Sequence, residues 1–272
     1  MMRFIIWIVL LCLAGCSAKL GKNIIEKRPP LAADAFVLVL RQSDDFTNDG
    51  VKIGSIRSGD NGFSVNCSYN EVIGNLKVMA RQYGANVIKI TRRLSPDKWS
   101  SCERIDADIY KVADYRKHEV EIEWDGKRRL TWEDFKANVP EAPSKFLVAA
   151  TTSCEIAVES NVLTAFKKPK FFATNKFNCY ASWVKQGQTN DSLLRHEQCH
   201  FDIAEIYRRK LQKQLDEADI SFADAERTMK EMTRKIGKAY QNEQAVYDEE
   251  TRHGLNREKQ KEWELKVAAL LN

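Results

Sequence analysis

The chain has 272 residues, 43% hydrophobic and 30% charged, which is the composition of ordinary globular protein and enough for two modest domains. Its formal charge of +5 is spread through mixed Lys, Arg, Asp and Glu without a concentrated basic face, so nucleic acid is excluded as the expected partner. Seven cysteines fit an oxidising compartment.

Met1 to Gly15 holds one charge, Arg3, and the apolar run FIIWIVLLCLAG, too short to anchor stably across a bilayer. The run ends in Leu13-Ala14-Gly15-Cys16, which resembles the lipobox of bacterial lipoproteins. That resemblance makes residues 1–15 a signal peptide and Cys16 the lipidated first residue of the mature chain; a plain secretory signal or an uncleaved anchor is the alternative. Losing the leader removes Arg3 and leaves +4. The implied location is the bacterial cell envelope, facing the periplasm or the exterior. Ser17, in place of an acidic residue, points to the outer membrane by analogy with enterobacterial sorting. Residues 16–31, closing on Pro29-Pro30, read as a tether that lets the folded part stand off the membrane.

Residues 32–116 read as a small α+β domain. AFVLVLR, VKIGSI and GFSVNC are strand-like, with turns at Asn48-Asp49-Gly50 and Asp60-Asn61-Gly62. EVIGNLKVMARQYG has helical periodicity, and NVIKITR and ERIDADIYKV are strand-like again. Its acids and bases are scattered, which fits a binding or spacer role. Gly54 to Tyr110 resembles small envelope lipoprotein domains of the Rcs stress-sensor type. Cys67 and Cys102 flank one segment of this domain, and Cys154 and Cys179 flank another further on, so pairing within each is the economical expectation.

Residues 117–272 read as a second domain. EVEIEW and RRLTW around Asp125-Gly126 suggest a hairpin, and FLVAATTSCEIAVES and KFNCYASWVK suggest further strands. Ala181 to Lys185 is a candidate edge that an extended peptide could pair with, or an internal strand. Two long helices follow. The first spans Asp191 to Leu215, with Asn190 or Asp191 as cap, and the second runs through SFADAERTMKEMTRKIGKAYQNEQAVYDEETRH to a closing Gly254.

The first helix carries His196-Glu197-Gln198-Cys199-His200. Spaced by four, His196 and His200 leave one helix face together and can hold one cation, while Glu197 is rotated out of the ligand position toward a metal-bound water, where a general base belongs. With only four histidines in 272 residues, chance rarely produces this pattern. Cys199, about 100° from His200, is expected in the core as a small hydrophobe. Glu205 lies about 140° from His200 on the same helix and is disfavoured as a ligand.

A catalytic zinc needs a third protein ligand and an open fourth position. YDEETRHG offers His253 first, as a good imidazole donor, and Asp248 second; Asp248 could otherwise orient a ligand histidine. Tyr247 could donate to an oxyanion, or be a core aromatic. LTWEDF at 130–135, SWVK at 182–185, LLRHEQCHFDIAEIYRR at 193–209 and YDEETRHG at 247–254, with Gln260 and Trp263 beyond, together resemble a family of unknown function described as predicted bacterial secreted zinc-dependent proteases, over residues 118–265. The resemblance implies a zincin-like α+β domain and peptide-bond hydrolysis, with His196, His200 and His253 on Zn2+ and Glu197 as base. Two other readings stand beside it: a zinc amidase acting on cell-wall peptides, and a catalytically silent zinc-binding lipoprotein that acts as envelope sensor or assembly factor.

Overall fold

In the part of the chain before Arg116 the polar and apolar positions alternate along the strands, so one sheet face is apolar and needs a cover, which a single amphipathic helix provides. The computed structural model describes residues 16–46, 50–60, 64–97, 99–100, 102–141, 148–161 and 169–272. The expected leader, 1–15, and parts of both expected turns, 48–49 and 61–62, lie outside the described residues. Contacts divide the chain into Met1–Tyr115, unit 1, and Arg116–Asn272, unit 2. The class is α+β, with several sheets and four α-helices among the described residues.

Unit 1 contains β1 (Cys16–Ser17), β2 (Lys19–Ile24), β3 (Leu38–Leu40), β4 (Val51–Gly59), β5 (Ser64–Asn66), α1 (Tyr69–Gln82), β6 (Val87–Leu94) and β7 (Arg104–Lys111). Five strands form one sheet in the order β2-β4-β7-β6-β3, antiparallel except for β3 beside β6. Glu71 accepts from the Ser68 backbone N–H at 3.0 Å, which closes the start of α1. The helix then lays Val72, Leu76 and Ala80 on Ile53, Ile56, Ile88, Ile105 and Ile109 of the sheet. The expected Cys67–Cys102 disulfide is present and ties the entrance of α1 to that of β7.

The spacer expected over 16–31 is corrected. β2 pairs with β4 through six residues, Lys19↔Gly59 to Ile24↔Gly54, and Cys16–Ser17 bridges β5 in parallel. An edge strand is held by main-chain hydrogen bonds and needs little apolar alternation, and Lys19, Leu20, Lys22 and Asn23 are all exposed. The pattern of a strand was therefore absent from the sequence.

Unit 2 contains β8 (Glu121–Glu123), β9 (Ala150–Thr151), β10 (Cys154–Asn161), β11 (Lys170–Asn178), β12 (Trp183–Val184), α2 (Asp191–Glu217), α3 (Ala225–Thr251) and α4 (Arg257–Leu271). β11 is the middle strand of an antiparallel sheet ordered β10-β11-β8, and β12 pairs with β9 in a second small sheet. Along β11 every second residue is buried, so Phe171, Ala173 and Phe177 face inward. Against them α2 packs Phe201, Ile203, Ile206 and Leu211. The buried amide of Asn175 donates to Phe201 O at 3.1 Å, which fixes the helix on the strand.

Three expectations change here. The hairpin after Trp124 does not form: Asp125 Oδ1 accepts from the N–H groups of Lys127 and Arg128, and Arg128 turns inward to Asp134. Residues Trp132–Asp134 form a short 3-10 turn, and β8 pairs with β11 instead. Cys154 and Cys179 are free thiols, as is Cys199. Cys154 stands opposite Phe177, so Cys179 is its diagonal neighbour, and side chains so placed are roughly 7 Å apart where a disulfide needs about 4 Å between Cβ atoms. The third change is α4, a helix beyond the two expected. Asn256 caps it by accepting from Lys259 N, and it buries Gln260, Trp263 and Val267.

Candidate metal centre

Asn190 caps α2 by accepting from Leu193 N at 3.0 Å, and the helix runs unbroken past the HExxH residues. His196 and His200 leave the same face, as the spacing requires, with ring centroids 4.7 Å apart. Each ring has an amide oxygen behind it. Gln260 Oε1 lies 3.1 Å from His196 Nδ1, and Gln244 Oε1 lies 2.5 Å from His200 Nδ1. Gln244 also donates from its Nε2 to His200 O, which fixes the direction of its amide. An amide oxygen can only accept, so both Nδ1 atoms carry the proton and both Nε2 atoms present lone pairs.

Those two Nε2 atoms are 3.1 Å apart, and Asp248 Oδ1 is 3.1 Å from each. Three acceptors in mutual contact repel one another unless positive charge stands between them, which either a proton or a metal cation can supply. Ligands bound at ~2.0–2.1 Å in a tetrahedron stand roughly 3.3 Å from one another, close to the triangle seen here, and the His/His/Asp donor set suits zinc. Burial raises the Asp248 carboxyl, but hydrogen bonds with His196 and His200 outweigh this and hold it well below the ordinary carboxylate range. Burial disfavours the His200 imidazolium, yet the Asp248 hydrogen bond and the Glu197 and Asp248 charges overcome it, so its pKa is raised. Both shifts express a field that favours positive charge at this point.

Asp248, the second of the two expected third ligands, stands in this triangle. The Nδ1 atoms of both helix histidines are already bonded to glutamines, and Asp248 meets the two rings at their Nε2 atoms. His253 is also here, with Nδ1 3.3 Å from Asp248 Oδ1 and a side chain 49% exposed. His196, Asp248 and His253 together form a group whose ligand atoms all lie within 4.8 Å of one another.

Glu197, His196, His200, Asp248 and His253 line one cavity of ≈ 300 Å³, whose opposite wall is the segment 148–152 around β9. Glu197 is 2% exposed, and its Oε2 is buried without a hydrogen-bond partner. A buried carboxylate oxygen costs several kcal/mol unless something occupies its lone pairs, so this one marks a place for a water or substrate atom. The candidate edge, Ala181 to Lys185, is covered on one side: β12 pairs with β9, and Lys185 N donates to Ala149 O. β9, within the segment 148–152, is thus the strand that borders the cavity.

The remaining groups hold this geometry. Tyr247 is fully buried and stacks on His196 at 4.7 Å, and its hydroxyl donates its one proton to Gln260 Oε1 at 2.8 Å, with His196 O as the alternative acceptor at 3.2 Å. It is a core aromatic, as one of its two expected roles had it. Trp263 of α4 meets Tyr247 edge-on and donates to Glu250. After α3 the chain takes three successive left-handed residues, Arg252, His253 and Gly254. The first two are uncommon there and mark a strained turn that returns His253 to Asp248. A Cβ on Gly254 would stand 3.1 Å from both Cβ and Cγ of His196, so the glycine makes room for the ligand ring.

Other candidates fall away. Cys199 is buried among apolar residues, which pushes its thiol up to about 12, as expected of a core hydrophobe. Glu205 is engaged by Arg208 and Arg209. Of the resemblance motifs, LTWEDF touches the site helix directly, through Leu130 N donating to Gln198 Oε1 at 2.8 Å. Cys16 lies in unit 1.

A family model described as bacterial protein of unknown function (DUF922) matches residues 150–254. The match runs from β9 to the glycine behind His196, and so includes Glu197 and every candidate ligand. It is narrower than the 118–265 of the sequence resemblance and excludes LTWEDF, Gln260 and Trp263. No curated protein and no solved structure matches the chain.

Proposed function

We propose that unit 2 is a zincin-like, zinc-dependent peptidase, and that the chain is held to a bacterial envelope membrane by a lipid on Cys16. One observation carries the enzymatic reading: three lone-pair donors on His196, His200 and Asp248 converge beside a buried Glu197 oxygen that has no partner. A metal held only for structure needs no such base.

His196, His200 and Asp248 hold the zinc, and Gln260 and Gln244 keep the two imidazoles in the tautomer that leaves Nε2 free. Bound zinc supplies a Lewis acid and brings the pKa of its water toward ~7. Glu197 takes a proton from the attacking water and returns it to the leaving amine. His253, half-exposed beside Asp248, donates to the carbonyl oxygen as charge develops on it. The substrate is an extended peptide lying along the segment 148–152. A cell-wall amide would use the same residues and differ in what fills the cavity.

One observation favours the silent zinc-binding reading. His253 is close enough to Asp248 to join the ligands and close the site. Elemental analysis of the chain from Cys16 separates the two. One zinc per chain is expected in the wild type, Glu197→Gln and His253→Ala, and none in Asp248→Ala, His196→Ala or His200→Ala. Glu197→Gln should lose hydrolysis of a peptide mixture, and an active Glu197→Gln would sink the base assignment. Loss of zinc in His253→Ala, with no hydrolysis by the wild type, would establish the closed site instead. A wild type that takes up no zinc at neutral pH overturns both readings.

A further inference from the structure

The chain enters unit 1 without slack. Cys16 and Ser17 are bridged to Ser64 and Asn66, Ala18 is buried in the core, and β2 is paired from Lys19 onward. Three residues span at most ~10 Å, so whatever holds Cys16 at a membrane holds Lys19 within about that distance of it.

A groove of ≈ 360 Å³ lies at that point, in the walls of which β2, β4, β7 and β6 place Lys19, Arg57, Arg104 and Arg92 against one carboxylate, Asp106. Arg57 lies across Gly21, where a side chain would collide with its Nε and Cγ. Arg92 approaches Asp106 at 3.7 Å and Arg104 is paired with Asp97. Lys19 and Arg57 have no carboxylate partner among the described residues. Arg104 Nε is buried without an acceptor. Four cations in a concave site, one with an unused buried donor, ask for an anion.

The same end also shows apolar residues to solvent. Leu20 and Leu94 line the groove and are 40% and 37% exposed. Trp99 is 83% exposed on the β6–β7 connection, which Ser100 ties to Asp60 at the end of β4. Basic residues with exposed leucines among them and an exposed tryptophan on the adjoining connection are the composition of a surface that sits at the headgroup level of a bilayer.

We propose that this end of unit 1 is a membrane-docking face, in which the groove binds the phosphates of anionic phospholipid headgroups and Trp99 enters the interfacial layer. The choice of a bilayer as partner rests on the reading of Cys16 as the lipid-bearing residue. The face then lies within a Debye length, ~8–10 Å, of the surface to which the anchor brings it.

The chain from Cys16, made without its leader so that no lipid is attached, is sedimented with neutral phosphatidylcholine vesicles and with vesicles containing phosphatidylglycerol. Binding is expected only to the anionic vesicles, to fall as salt rises, and to weaken about fivefold for each basic residue removed. Lys19→Glu and Arg57→Glu, both at solvent-facing positions, should lower it more than that, and Trp99→Ala should lower it too. Lys213→Glu on unit 2 should leave it unchanged. Equal binding to neutral vesicles, full binding by Lys19→Glu/Arg57→Glu, or an equal loss in Lys213→Glu overturns the proposal. Displacement by millimolar inorganic phosphate would make the groove a site for the free anion and also overturn it. Because no zinc, hydrolysis or acylation enters this assay, its failure is separate from failure of the peptidase or of the anchor; the mass of the membrane-extracted chain reports lipid on Cys16 directly.

Discussion

Gln260 gives the sharpest test of the proposed metal site, because it would act on the metal only through a histidine. Its Oε1 accepts from His196 Nδ1 at 3.1 Å and from Tyr247 OH at 2.8 Å, and it is 4% exposed. Gln260→Ala strips the acceptor from both. Tyr247 keeps His196 O, at 3.2 Å, but the Nδ1–H of His196 is left buried and unpaired. That alone costs about 1–3 kcal/mol of stability. An unpaired ring is also free to move its proton to Nε2, the atom that must face the zinc. Loss of such an orienting partner weakens metal binding ~10–100-fold, or about 1.4–2.7 kcal/mol. The assay is competition for zinc against a chromophoric chelator, with melting measured with and without metal. Gln260→Glu restores an acceptor and should bind zinc nearly as well as wild type. Wild-type affinity in Gln260→Ala, or equal weakness in both variants, would refute the orienting role and the tautomer assigned to His196.

Gly254→Ala should cost about 1–2 kcal/mol from its left-handed backbone and push on the His196 ring, so zinc affinity in the same competition should fall. Replacing Cys67 and Cys102 by Ser opens a link with a sequence separation of 35 and should destabilise unit 1 by ~4 kcal/mol, read as lost hydrogen-exchange protection in β4 and β7 with the zinc content unchanged. Burial raises the Asp108 carboxyl but hydrogen bonds from Lys52 and Ser55 outweigh it, so its folded pKa lies below the ordinary 3.8. Its contribution to stability is therefore present above that value and lost as pH falls toward the folded pKa; Asp108→Asn should flatten the acid dependence of unit 1 below about pH 4.

The α+β class and the position of the site were legible because both rest on short-range pattern. A four-residue spacing fixes two histidines on one helix face wherever that helix goes, and alternation along β11 sets its buried face before any partner is known. β2 was not legible, since an edge strand is specified by the chain beside it. The hairpin after Trp124 misled for a related reason. Asp125-Gly126 does make a turn, but the residues after it are captured by Arg128 reaching Asp134 and by Leu130 N finding Gln198, and neither contact is encoded locally. Gln244 left no signal as an orienting group, because a glutamine on a polar helix face is ordinary until a histidine is placed opposite it.

The choice between Asp248 and His253 shows the same limit at the site itself. Helical spacing puts Asp248 and Gln244 one turn apart on α3, on the face that meets α2, and the chain after α3 is built to bend back by three left-handed residues. Imidazole was preferred on ligand chemistry and on the motif that contains it, and both treat each candidate as free to reach the metal. In the folded chain the rigid α3 sets Asp248 Oδ1 at 3.1 Å from both Nε2 atoms, whereas His253 arrives on a strained turn with nearly half its side chain in solvent. A ligand held by a helix loses little further freedom on binding a metal. A residue held by a turn at the mouth keeps the freedom to meet a substrate, and on the proposed peptidase reading this is why zinc retention in His253→Ala, with hydrolysis lost, is the pair of results expected.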